Sequence, residues 1–156
     1  MKVTVKKKAR MNNPRFSHKY RKHKHMKKVI KFIWMFILYI WQLPQNLIGL
    51  LLHLFYIHSE KMEIGGVKVW YNKSFPGGIS LGNTILVGSQ GVYTAKHEHG
   101  HQIQSMILGP FYLFVIGIPS LCWAGLYGSV IKRTHNGYYK FFCEAWADKL
   151  GGVIRA

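Results

Sequence analysis

Acidic side chains are scarce in this chain of 156 residues: Glu60, Glu63, Glu98, Glu144 and Asp148 are the only five, and none precedes Glu60. Set against 22 lysines and arginines, they leave a formal charge of +17, although 49% of the residues are hydrophobic. Position reconciles the two figures. Thirteen of the 22 cations lie in Met1–Lys31, which excludes a protein evenly charged along its length. The charge is a tail, and the apolar content follows it. Cysteine is nearly absent too: only Cys122 and Cys143 occur, with no CxxC, so a cysteine-ligated metal ribbon is excluded. Cys122 sits in an apolar run and reads as a small buried hydrophobe. No small-residue cleavage site follows the first apolar stretch, which argues against a cleaved signal peptide. No internal repeat is present.

Residues 1–28 have too little apolar surface to fold alone, and Asn12-Asn13-Pro14 interrupts them. The expectation is a disordered cytoplasmic tail that orients a membrane protein by its positive charge. A binding arm for anionic lipid or nucleic acid is the alternative. The tail runs straight into a membrane-like segment, so lipid is the expected partner and nucleic acid is not. Residues 29–57 form that segment, broken by Pro44-Gln45-Asn46. It reads either as one kinked span or as two short helices in a re-entrant hairpin. Residues 109–131 are a second apolar segment, uncharged, with Pro119 as a kink. The fold expected over residues 29–156 is an α+β membrane domain. A small antiparallel sheet occupies residues 62–89, with strands at Val67–Tyr71, Ile79–Leu81 and Thr84–Val87 and a hairpin at Gly82-Asn83. One helix follows over residues 92–108 and a last one over residues 138–150, stopped by Gly151-Gly152.

The first of these helices carries His97-Glu98-His99-Gly100-His101, an H-E-x-x-H pattern. Residues four apart share a helix face, so two imidazoles can converge on one metal ion while Glu98 reaches a water beside it. An open zinc site needs a third protein ligand. Glu144 in Glu144-Ala145-Trp146-Ala147-Asp148 is the candidate, and Asp148, one turn on, can accept a hydrogen bond from the outer nitrogen of a ligating histidine. Three of the five acids therefore fall in two short motifs. The competing reading is a histidine-rich helix facing water, with Glu144 and Asp148 as surface acids. His99 lies off the shared face and reads as exposed or substrate-side. Gly100 costs about 1 kcal/mol of helix stability, which points to a close approach by another element.

These residues resemble the gluzincin metallopeptidases, which pair H-E-x-x-H with a downstream E-x-x-x-D. More narrowly, they look like the M48 membrane peptidases, and the run H-E-x-G-H-x-x-Q-S followed by L-G-P is similar to a set of small bacterial membrane proteins. The resemblance implies zinc at His97, His101 and Glu144, Glu98 as general base, Asp148 as outer partner, and an integral membrane protein, expected in a bacterial inner membrane; the basic tail sets the expectation of a cytoplasmic N-terminus. The chain is much shorter than typical M48 enzymes, and no residue matches their downstream oxyanion-stabilising group. His135, Tyr138 and Tyr139 are candidates for that role by nearness in sequence to Glu144. The expected activity is zinc-dependent hydrolysis of a peptide or protein substrate, which could add as a strand to the Ile79–Val87 hairpin. The alternatives are a non-catalytic membrane scaffold or adaptor with a structural zinc site, and a lipid-binding protein acting through its basic tail.

Overall fold

Prolines stand where the first two helices begin. In the computed structural model, which describes residues 14–129 and 135–155, α1 runs Pro14–Trp41 and α2 runs Leu43–Phe55. Pro44 lies in the first turn of α2, where its missing N–H is not needed. The chain divides into two units, Met1–Leu38 and Tyr39–Ala156. From Pro14 onward the basic segment is helical: lysine and arginine are good helix formers, and no proline or glycine interrupts the run from Arg15 to Trp41. Residues 1–13 lie outside the described residues.

The apolar stretch at residues 29–57 is helical on both sides of a break at Gln42. The junction is polar and buried: Gln42, Gln45 and Asn46 are all buried. The Gln45 amide donates to Ser105 Oγ at 3.0 Å and to the Gly109 carbonyl at 2.7 Å. Ser105 in turn donates to Gln42 Oε1 at 2.8 Å. The break thus docks on the helix that carries H-E-x-x-H. Among the described residues no single helix is long and apolar enough to cross a membrane; the pair His23–Trp41 and Leu43–Phe55 reaches that measure only together.

Four strands follow: β1 Glu60–Ile64, β2 Val67–Tyr71, β3 Gly78–Leu81 and β4 Thr84–Val87. β1 and β2 form a hairpin on Gly65 and Gly66, at φ 59° and 84°, values that a two-residue turn of this twist requires. β3 and β4 form the expected hairpin at Gly82-Asn83, paired Leu81 with Thr84. The sheet is mixed, not antiparallel as expected. Its order is β1-β2-β4-β3, and β2 runs parallel to β4. The reason lies in the connection after Tyr71. Asn72 N–H donates to the Val87 carbonyl and Gly88 N–H to the Gly77 carbonyl. The loop therefore carries the chain past β4's place, and β3 becomes the outer strand. One face of the sheet buries Ile64, Val67, Val69, Ile85 and Val87 with Ala95.

The helix over Val92–Leu108, α3, has the expected limits. It ends at Gly109, whose φ of 53° turns the chain away, and Trp41 Nε1 donates to the Met106 carbonyl at 3.1 Å, satisfying an orphan of the last turn. The second apolar segment is irregular: a 3-10 turn at Gly109–Phe111, a π-turn at Leu113–Gly117, then α4 at Ile118–Ser129. A short α5, His135–Tyr138, precedes α6, Phe142–Gly151. The glutamate helix thus starts four residues later than expected, and Gly152 at φ 67° ends it. Cys143 packs in a second core with Tyr112 and Ile116, whereas Cys122 is exposed, so the burial read for Cys122 belongs to Cys143. Both are free thiols.

α3 and α6 pack at the distance glycine allows. A Cβ on Gly100 would fall on the Ala147 carbonyl, and one on Gly151 on the Lys96 carbonyl. Each helix offers a bare glycine to a backbone oxygen of the other, which is the close approach that Gly100 suggested. Gly100→Ala is therefore expected to lower the melting temperature. Alanine gains about 1 kcal/mol of helix propensity, but overpacking here costs about 1–3 kcal/mol. Thermal unfolding followed by circular dichroism checks the sign.

Candidate metal centre

The close packing of α3 on α6 brings two faces together. α3 buries His97, Glu98, Gly100, His101, Gln104 and Ser105, and α6 buries Cys143, Glu144, Ala147 and Asp148. At their contact His97 Nε2 lies 3.0 Å and His101 Nε2 3.4 Å from the same oxygen, Glu144 Oε2. The three candidate ligand atoms all lie within 4.8 Å of one another. Zinc bonds of about 2.0–2.2 Å in a tetrahedron put ligand atoms roughly 3.3 Å apart. The two histidine–glutamate separations straddle that length, so this buried group can hold a metal ion.

The outer shell of bonds fixes which nitrogen faces inward. Gln104 Nε2 donates to the Cys143 carbonyl at 2.9 Å, a group that can only accept. Gln104 Oε1 therefore faces His101 Nδ1, 2.7 Å away, and that nitrogen must be the donor. His97 Nδ1 likewise lies 2.7 Å from Asp148 Oδ1. With both Nδ1 protons donated outward, the Nε2 of each imidazole faces Glu144 and, whenever the ring is neutral, turns a lone pair toward it. Lone pairs facing a carboxylate call for a cation between them, either a proton or a metal. Ser120, on α4, donates to the other glutamate oxygen, Oε1, at 2.6 Å and so leaves Oε2 for the histidines.

The charges follow from this packing. Burial pushes the Glu144 carboxyl up, but bonds from His101, His97 and Ser120 outweigh it and hold it at about 2. Burial pushes His101 down, and its bond to Glu144 with the charge of Glu98 outweighs that, so its value is raised. Glu98 is raised above the usual carboxylate range, chiefly by burial, with His101 and His97 opposing. It is 6% exposed, and a Cβ on Gly78 would collide with its carboxyl, so the start of β3 lies against it.

A cavity of about 850 Å³ opens over this group. His97, Glu98, His101 and Glu144 line one part of it; the rest is mainly apolar, with Phe75, Leu81, Phe114 and Leu121 among its walls. Gly78–Leu81, the outer strand of the sheet, borders it. Tyr138 and Tyr139 both reach the cavity, and the Tyr139 ring meets His97 edge-on with centroids 5.1 Å apart. His135 begins α5, but its side chain lies outside those described. His99 is half-buried, 3.1 Å from Gln102 Oε1, and stands apart from the metal group.

Three residues of the centre escaped the sequence reading. Gln104 stood in the quoted H-E-x-G-H-x-x-Q-S run without a role, although it lies one turn after His101. Ser120 was signalled only as a hydroxyl within an uncharged apolar segment. Arg155, which bonds Asp148 through Nε at 2.6 Å, carried no signal beyond its charge. Comparison of the chain with family models, curated proteins and solved structures gives no match, which leaves the geometry of the centre to speak for function.

Proposed function

We propose that the chain is a membrane-embedded zinc metallopeptidase of gluzincin type, with the metal on His97, His101 and Glu144 and with Glu98 as general base. One observation carries the reading: two imidazole Nε2 atoms converge on one oxygen of Glu144 while both Nδ1 atoms are already bonded outward. Two histidines and one carboxylate are the donor set of open zinc sites, and the resemblance of the two motifs to gluzincins adds to it. Zinc held there supplies a Lewis acid and acidifies a water toward neutrality.

The remaining steps belong to the chain's own groups. Glu98 borders the cavity and is kept out of the metal group by its place on α3. Placed there, it takes the proton of the attacking water and passes it to the leaving amine. A scaffold with a structural metal has no use for a buried carboxylate so placed, which favours the enzyme over that alternative. Tyr139, beside His97 at the cavity, is the candidate donor to the carbonyl oxygen as it gains charge. β3 ends the sheet order, so an extended peptide can pair with its outer edge and run past Glu98. The apolar walls suit an apolar segment of that peptide.

Membrane residence is supported by surface chemistry. From Val29 to Trp41, α1 exposes Phe32, Ile33, Trp34, Met35, Phe36 and Ile37 in unbroken succession, hence on all sides of the helix. A helix apolar all round suits lipid, which supports this reading. The cations of Met1–Lys31 then suit the cytoplasmic side.

The test is Glu98→Gln, which keeps shape and removes the base. Zinc content is expected to stay at the wild-type level while hydrolysis of apolar peptides falls by about 10²–10⁴-fold. Turnover that survives the substitution removes Glu98 from the mechanism. Zinc without any wild-type turnover across a broad peptide panel leaves the scaffold reading.

A further inference from the structure

The chain does not leave the metal centre when α6 ends. Gly152 takes the left-handed conformation and Val153 N–H donates back to the Asp148 carbonyl at 2.9 Å. This turn lays Arg155 beside the last turn of α6. Its Nε donates to Asp148 Oδ2 at 2.6 Å and its Nη2 to Oδ1 at 3.0 Å. The same Oδ1 accepts from His97 Nδ1 at 2.7 Å. The guanidinium carbon also lies 3.2 Å over the centre of the Tyr139 ring. That ring meets His97 edge-on, at an interplanar angle of 83°.

We infer that Arg155 is a positioning residue of the metal centre, one guanidinium holding both Asp148, which bonds the Nδ1 of His97, and Tyr139, whose ring meets the His97 ring. The inference rests on the proposed metal site. An arginine can only donate, so both Asp148 oxygens are left as acceptors, and the proton shared with His97 belongs to Nδ1. That keeps the Nε2 lone pair directed at the metal position. The stacked ring limits rotation of the imidazole about its own axis. An exposed arginine–carboxylate pair would do little. This pair is bidentate, its arginine is 20% exposed, and its planar face is used as well as its edge. Lysine cannot do both at once, because an ammonium is a point donor without a stacking face.

The experiment uses full-length protein in detergent, loaded with zinc or with cobalt(II). Zinc affinity is read by chelator competition, and the ligand field by cobalt absorption. Arg155→Ala is expected to weaken zinc binding about 10–100-fold, the usual cost of losing an outer partner, and to shift the cobalt bands. Arg155→Lys is expected to recover only part of this. In an Asp148→Asn background Arg155→Ala should add little, since the arginine acts largely through that carboxylate; a mere anchor for the chain end would add its full cost there. Wild-type affinity and an unmoved cobalt spectrum in Arg155→Ala overturn the inference, as does full recovery by lysine. Arg155→Lys keeps the charge and the stem and carries the test alone should the alanine variant not fold: affinity equal to wild type then overturns it. Wild-type protein that binds neither ion overturns the metal reading, and this inference with it.

Discussion

Glu144→Ala is expected to abolish stoichiometric zinc binding. The carboxylate is 1% exposed, and both Nε2 atoms face one of its oxygens. Without it two imidazoles remain, too few protein ligands for an open zinc site. The loss should exceed by a wide margin the about 10–100-fold expected for Asp148→Asn, which removes only an outer partner. Alanine also leaves Ser120 without its acceptor and two inward nitrogens without an anion, so a fall in stability is expected alongside. Glu144→Gln separates the two effects. Its amide oxygen can still accept from Ser120 and it keeps the volume, so the fold should persist while metal affinity still collapses. Metal content after dialysis, with chelator competition for the affinities, gives the order: wild type, Asp148→Asn, then Glu144→Gln and Glu144→Ala together. Retention of zinc by Glu144→Ala would remove the third ligand, and the gluzincin reading with it.

What the sequence disclosed and what it hid divide along physical lines. His97 and His101 could be placed together because a helix turn fixes residues four apart on one face. Glu144 could be joined to them because acids are so few that each needs a reason. Asp148 followed from Glu144 by the same helical spacing, and it does reach His97 Nδ1. The hairpin at Gly82-Asn83 was legible because its turn needs particular backbone angles. Ser120, Gln104 and Arg155 were not legible as partners, since each is an ordinary polar residue whose role depends on where another helix lies. The parallel pairing of β2 with β4 depends on the path of the loop after Tyr71, and no local pattern encodes that. β1, Glu60–Ile64, was missed because its two acids and one lysine look like loop; it is the other outer strand, largely exposed. Gln45 read as part of the Pro44-Gln45-Asn46 interruption of an apolar run, and Gln42 carried no signal; both prove to bond Ser105, the contact by which the break docks on α3.

The stability of the protein should respond to metal removal in a pH-dependent way whose sign the centre dictates. In the metal-free state Glu144 is held at about 2 against its ordinary 4.5. Its interactions favour the folded chain fully above 4.5 and are lost as the pH falls toward 2. His101 is raised above its ordinary 6.5. That contribution is complete below 6.5 and disappears as the pH climbs through the raised value. Glu98 is raised above 4.5 by burial, so ionising it in place opposes folding increasingly as the pH rises from there. The metal-free protein should therefore be most stable in the weakly acidic range and should weaken toward alkaline pH. Zinc reverses the trend, because it needs His101 unprotonated and competes with the proton for the same Nε2. At a free metal concentration about a thousand times the dissociation constant, the ion adds about 4 kcal/mol, or roughly 10 °C in melting temperature for a chain of this size. The gap between zinc-loaded and chelated protein is thus expected to be small near about pH 5 and to widen through neutrality. Paired thermal melts across that range measure it. A gap that stays constant, or one that is widest in acid, would mean that the cation between the histidines and Glu144 is only ever a proton, and that the buried group serves the fold rather than a metal.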